Sequence, residues 1–291
     1  MGPVCWGERY FIKLRFFGIK RSFCPLRLLR DMGASHSALS EWRVAPRSDS
    51  EMTMQLDQFL EAADAQRVIA VLQKLNTCGL DYAITGGIAL EPSLGSGLGR
   101  RRAFNDIDIV VSAFEALPST LASAFMISHA HPDRPTGKLA IQLVEPNQRV
   151  RVDVFTACGD TLARTRPALI GDLTIKLVAV EDLACRIASE MMGFSRGDTV
   201  PPKCADDHIR ARQAVDMNLV ETAWQDQRLE KDPLTYAEAA VQVTDAMERQ
   251  SGKLAKQVYS TDSHALCRHC RDTAHFTVAS PKSILAILGY C

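Results

Sequence analysis

Apolar and polar positions alternate along this chain with two different periods, and the changes of period mark its elements. From Thr53 to Thr77 the spacing is helical, with Val68, Ile69, Val71, Leu72 and Leu75 as the apolar stripe. Asp64 is the candidate N-cap of that helix and Gly79 its stop. Tyr82–Thr85 is a short apolar run of strand character that empties into Gly86-Gly87, and Ile88-Ala89-Leu90 then opens a helix. Asp106–Val111 is a second strand. Lys138–Glu145 and Arg149–Phe155 both alternate and are joined by Pro146-Asn147-Gln148, the pattern of a β-hairpin. Ser112–Phe125 carries a helical pattern broken near Pro118, and His129–Asp133 follows as a loop. Leu173–Ala179 is one more strand. Beyond it the helical period takes over: Glu181–Met192, a helix from Lys203 after the loop Gly193–Pro202, then Asn218–Glu230 and Leu234–Arg249.

Chemistry concentrates between Tyr82 and Asp153. Side chains alternate faces on a strand, so Asp106 and Asp108 share one face while Ile107, Ile109 and Val111 point into a core. Two neighbouring carboxylates repel unless a divalent cation lies between them, and oxygen ligands of this kind suit Mg²⁺. A third acid, Asp153, sits in a strand whose valines share the opposite face, beside Arg149 and Arg151. Gly86-Gly87 lacks side chains, so the backbone can approach a ligand closely, and a glycine turn entering a helix offers N–H groups to phosphate. The basic run Arg100-Arg101-Arg102 lies between the two pieces.

Gly86-Gly87-Ile88-Ala89-Leu90, then Arg102-Ala103-Phe104-Asn105-Asp106-Ile107-Asp108, then Asp153, resemble the nucleotidyltransferase superfamily of the DNA polymerase β type. Within it the likeness is to the bacterial branch of abortive-infection toxins and minimal nucleotidyltransferases. The match covers about half the chain, and Phe104 stands where that family carries a hydroxyl residue. The resemblance implies an α+β fold, a nucleotidyltransferase-like mixed β-sheet with flanking helices followed by a helical C-terminal segment. It implies a transferase that moves a nucleoside monophosphate from a nucleoside triphosphate to an acceptor hydroxyl. Asp106, Asp108 and Asp153 would hold Mg²⁺ or Mn²⁺, and Asp153 would also take the acceptor's proton. Gly86, Gly87 and Arg102 would surround the phosphates. Arg186 occupies the place of a family lysine, facing either the triphosphate or solvent. Lys203, which the resemblance implies is nucleotide-binding, and Asp207 match a Lys-Asp-x-x-Asp-Leu pattern whose first Asp is Cys204 here; Asp207 has Arg210 and Arg212 as alternative partners on its own helix. The acceptor is open among RNA, protein and small molecules, and the branch adds an antitoxin protein as a possible partner. The rival reading is a degenerate nucleotide-binding or partner-binding module without catalysis.

Composition narrows this picture in few places. The 291 residues are 46% hydrophobic and 23% charged with a formal net charge of zero, so no global attraction to nucleic acid follows. No apolar run is long enough for a membrane span. Nine scattered cysteines without a secretory signal pattern suggest reduced thiols and a cytoplasmic location. Residues 1–52 stand apart as a basic, aromatic extension: a membrane-surface or nucleic-acid arm, a transit peptide, or sequence upstream of a true start at Met52 or Met54. Residues 53–180 are expected to form the nucleotidyltransferase domain and 181–250 a helical segment. In the tail, 251–291, Cys267-x-x-Cys270 with His275 is half a Zn²⁺ site; thiols without metal are the expectation. His129 and His131 have metal-ligand spacing, with a solvated loop as the expectation.

Overall fold

The computed structural model describes residues 54–102, 106–130, 139–195, 202–228 and 234–254. Their strands form an eight-stranded mixed sheet flanked by helices, followed by a helical C-terminal portion, as an α+β chain should. The strands are β1 (Met54–Gln55), β2 (Ala83–Ile84), β3 (Asp106–Val111), β4 (Met126–Ala130), β5 (Leu139–Glu145), β6 (Val150–Thr156), β7 (Arg166–Ile170) and β8 (Leu173–Leu177). They lie in the order β1-β7-β8-β2-β3-β6-β5-β4. The helices are α1 (Ala62–Thr77), α2 (Gly86–Ser93), α3 (Gly95–Leu98), α4 (Leu121–Ala124), α5 (Val180–Ser195), α6 (Pro202–Ala214), α7 (Met217–Gln227) and α8 (Tyr236–Leu254).

Alternation explains the centre of the sheet. Ile107, Ile109 and Val111 of β3 and Val150, Val152 and Val154 of β6 are wholly buried, and β3 runs parallel to β6. β5 and β6 form the expected antiparallel hairpin. On α1, Val68, Val71, Leu72 and Leu75 are wholly buried, the face its period requires. In the C-terminal portion the rings of Trp224 and Tyr236 meet edge to face at 6.1 Å, and Trp224 Nε1 donates to the Leu234 carbonyl at 2.7 Å.

Several boundaries differ from the sequence reading. The helix expected from Thr53 starts only at Ala62, because Met54–Gln55 pairs with Ala168–Leu169 of β7 and a 3₁₀ turn at Leu56–Phe59 follows. Its N-cap is Glu61, while Asp64 lies inside the first turn and accepts from Arg67 Nη1 at 3.2 Å. The helix ends at Thr77, and Gly79 takes the left-handed φ of +77° just beyond it. Ser112–Phe125 forms only the 3₁₀ turn Phe114–Ala116 and the single turn α4, with Phe114, Leu117 and Leu121 buried around the Pro118 break. His129 belongs to β4 rather than a loop, because β4 pairs with β5; His131 lies outside the described residues. β7, with Pro167 in it, was not expected at all. Residues 1–53 and the tail with Cys267, Cys270 and His275 also lie outside the described residues. Among those described, no helix is long and apolar enough to cross a membrane.

Candidate active site

Parallel pairing sets Asp108 of β3 opposite Asp153 of β6, and Asp106 opposite Arg151. Carboxylate oxygens of Asp106, Asp108 and Asp153 consequently all lie within 4.8 Å of one another. Asp106 and Asp108 are half-buried and Asp153 is fully covered. Asp153 Oδ1 accepts a hydrogen bond from Gln142 Nε2 at 2.8 Å and lies 3.2 Å from Arg151 Nε. Its other oxygen, Oδ2, is buried with no hydrogen-bond partner among the described residues. Arg151 also donates to Asp106 through Nη2.

Among the described residues, three acids meet one adjacent arginine, which leaves the cluster short of positive charge. Burial, helped by the charges of Asp106 and Asp153, holds the Asp108 carboxyl well above the usual carboxylate range, against the pull of Lys203 and Arg151. Burial likewise pushes Asp153 up to about 6, although Arg151 and the Gln142 hydrogen bond oppose it. An uncompensated cluster of hard oxygens with one buried oxygen unpartnered fits a divalent cation such as Mg²⁺ or Mn²⁺.

The Gly86-Gly87 turn closes directly on this cluster. Gly86 has a φ of +64°, and a Cβ there would overlap Asp108 Oδ2, so both chirality and space require glycine. A Cβ on Gly87 would come within 2.8 Å of Arg102 Nη1. α2 begins at this pair, after the extended Thr85, so its first N–H groups, which no helical carbonyl can reach, belong to the turn beside the acids.

The cationic residues divide into two sets. Arg102, expected at the phosphates, donates to Glu91 at 3.1 Å and to Asp207 at 3.4 Å. Arg210 reaches the same two acids, Glu91 at 2.7 and 3.0 Å and Asp207 at 2.7 Å, and also Asp206 at 2.9 Å. This answers the question of Asp207's partner on its own helix in favour of Arg210. Arg100 Nη1 lies 3.3 Å from Asp206, and its backbone N–H donates to Glu91 at 2.8 Å. The cluster ties α2 and the basic loop to α6. Lys203, four residues before Asp207 on α6, is exposed, and its field reaches Asp108. Arg186 donates to Glu190 at 2.6 Å along α5, and Cys204 is half-buried.

Sequence reasoning missed Gln142, Ser128 and Glu91. The one available signal for Gln142 was a polar side chain two positions from apolar neighbours in a strand otherwise built for burial.

Neither a protein-family model nor a curated protein sequence matches the chain. Solved structures do resemble it. An antigenic nucleotidyltransferase-like protein from Paracoccidioides brasiliensis is 19% identical, with a TM-score of 0.42 over 69% of this chain and 97% of its own. The solution structure of the antibiotic-resistance factor ANT(2'')-Ia is 13% identical, with a TM-score of 0.43 over 66% of this chain and 98% of its own. The crystal structure of ANT(2'')-Ia in complex with adenylyl-2''-tobramycin is 14% identical, with a TM-score of 0.42 over 57% and 98%.

Proposed function

We propose that this chain is a divalent-metal-dependent nucleotidyltransferase that moves a nucleoside monophosphate from a nucleoside triphosphate to an acceptor hydroxyl. The observation that carries the reading is the triad itself: three acids from two strands, oxygens within 4.8 Å, under a glycine turn that opens a helix. Asp106, Asp108 and Asp153 would hold the metal, which when bound supplies Lewis acidity to the phosphate oxygens and to the acceptor hydroxyl. The Gly86-Gly87 backbone receives the triphosphate, and the N-terminal N–H groups of α2 face its charge. Lys203 adds a cation from α6, held there by the pairing of Arg102 and Arg210 with Glu91 and Asp207. Asp153, a strand-borne carboxylate beside the metal, takes the acceptor's proton. The motif likeness extends the proposal to a cytoplasmic toxin paired with an antitoxin.

Asp153→Asn tests the chemistry. Metal-dependent nucleotide binding is expected to weaken yet remain measurable, because Asp106 and Asp108 remain, while transfer of label from an α-phosphate-labelled nucleotide to acceptors in a cell extract disappears. Wild-type protein that transfers no label with any of the four nucleotides would return the chain to the binding-module reading.

A further inference from the structure

We infer that Gln142 is a positioning residue for Asp153, and that Ser128 sets the direction of its amide. Gln142 stands opposite Asp153 in the β5–β6 register and is only 6% exposed. An ionised carboxylate only accepts hydrogen bonds, so the amide must turn its NH₂ toward Asp153 and its oxygen away. The structure has this arrangement: Nε2 donates to Asp153 Oδ1 at 2.8 Å, and Ser128 Oγ donates to Gln142 Oε1 at 2.7 Å. Ser128 Oγ also lies 3.4 Å from the Gln142 main-chain carbonyl, which keeps the hydroxyl on that strand.

The relay makes the two oxygens of Asp153 unequal. Oδ1 accepts the Gln142 hydrogen bond and lies 3.2 Å from Arg151 Nε, whereas Oδ2 is buried with no hydrogen-bond partner among the described residues. Oδ2 is therefore the oxygen presented to whatever the triad holds. A merely structural glutamine would satisfy its own buried amide and leave ligand affinity untouched. A positioning one governs how well Asp153 completes the site, as residues bonded to metal-ligating carboxylates do.

The inference builds on the metal-binding, nucleotidyl-transfer reading of the triad, and its test separates the two. Mn²⁺ binding to the full chain, followed by electron paramagnetic resonance, is read beside melting without metal and transfer kinetics. Gln142→Leu is expected to weaken Mn²⁺ binding by about 10–100-fold and to lower kcat similarly, with KM for the triphosphate unchanged. Ser128→Ala should move both in the same direction by a few-fold, since the amide keeps its donor but loses its fixed orientation. Should Gln142→Leu fail to fold, Ser128→Ala decides alone. Unchanged Mn²⁺ affinity in the folded variants, whatever their melting temperatures, overturns the inference. Weakened Mn²⁺ binding in a chain whose wild type transfers no nucleotide would uphold it while the transferase reading falls.

Discussion

Two clusters of three carboxylates flank the Gly86-Gly87 turn, and they are built on opposite principles. On the Gly87 side, Glu91, Asp206 and Asp207 meet Arg100, Arg102 and Arg210, three acids against three guanidinium groups. On the Gly86 side, Asp106, Asp108 and Asp153 have Arg151 as their one adjacent guanidinium among the described residues, with Lys203 acting through its field. The first cluster closes on itself and fastens α6 to α2. The second leaves a buried oxygen without a hydrogen-bond partner among the described residues and a carboxyl raised by burial and by its neighbouring acids, an arrangement that fits an external cation.

Removing an arginine should separate the clusters most sharply. Arg210→Met leaves Glu91 and Asp207 buried beside a vanished partner, and the expected loss is about 3–5 kcal/mol by chemical denaturation. A loss below about 1 kcal/mol would mean that water already screens the cluster, and the contrast would dissolve.

His208, next to Asp207 on α6, shows a third way to bury a titratable group. It is 1% exposed, its Nε2 has no hydrogen-bond partner among the described residues, and burial, aided by Arg212 and opposed by its hydrogen bond to the Ala240 backbone, lowers its pKa to about 4. The ordinary value is 6.5, so below it the unfolded chain takes a proton that the folded chain refuses. This contribution to stability is complete above that value and is lost as the pH falls toward 4, by about 3 kcal/mol in all. Urea midpoints measured against pH should fall less steeply in His208→Phe than in wild type; parallel slopes would contradict a neutral, buried His208.

The smallest stability change is expected at the triad. Asp108→Asn removes a repelling charge, so metal-free stability should hold or rise by on the order of 1 kcal/mol, while Mn²⁺ affinity collapses. A loss as large as that of Arg210→Met would show that the triad is internally satisfied after all.

The triad was legible because its two strands alternate cleanly: DIDIVV puts two acids on one face, and the buried valines of β6 expose the oddity of Asp153. Its closing register was not legible, since pairing between β3 and β6 belongs to tertiary structure. Arg102 shows the limit most clearly. Beside a phosphate motif, an arginine reads as an anion ligand, but Glu91 and Asp207, which it contacts, lie on separate helices that no local pattern connects. β1 is two residues long and has no period to read, and β7 contains Pro167, which ordinarily argues against a strand. Gln142 and Ser128 read as solvent-side polar positions until a buried partner is known.

Parallel pairing of β3 with β6 also has a kinetic consequence. The β5–β6 hairpin forms from neighbouring residues, whereas β3 meets β6 only after the chain through β4 and β5 has closed on itself. Asp108 and Asp153 are therefore expected to come together late in folding. A cation that needs both acids finds its full ligand set only in chains already close to native. It should shift the unfolding arm of a chevron and leave the folding arm in place, holding the protein folded by slowing its escape.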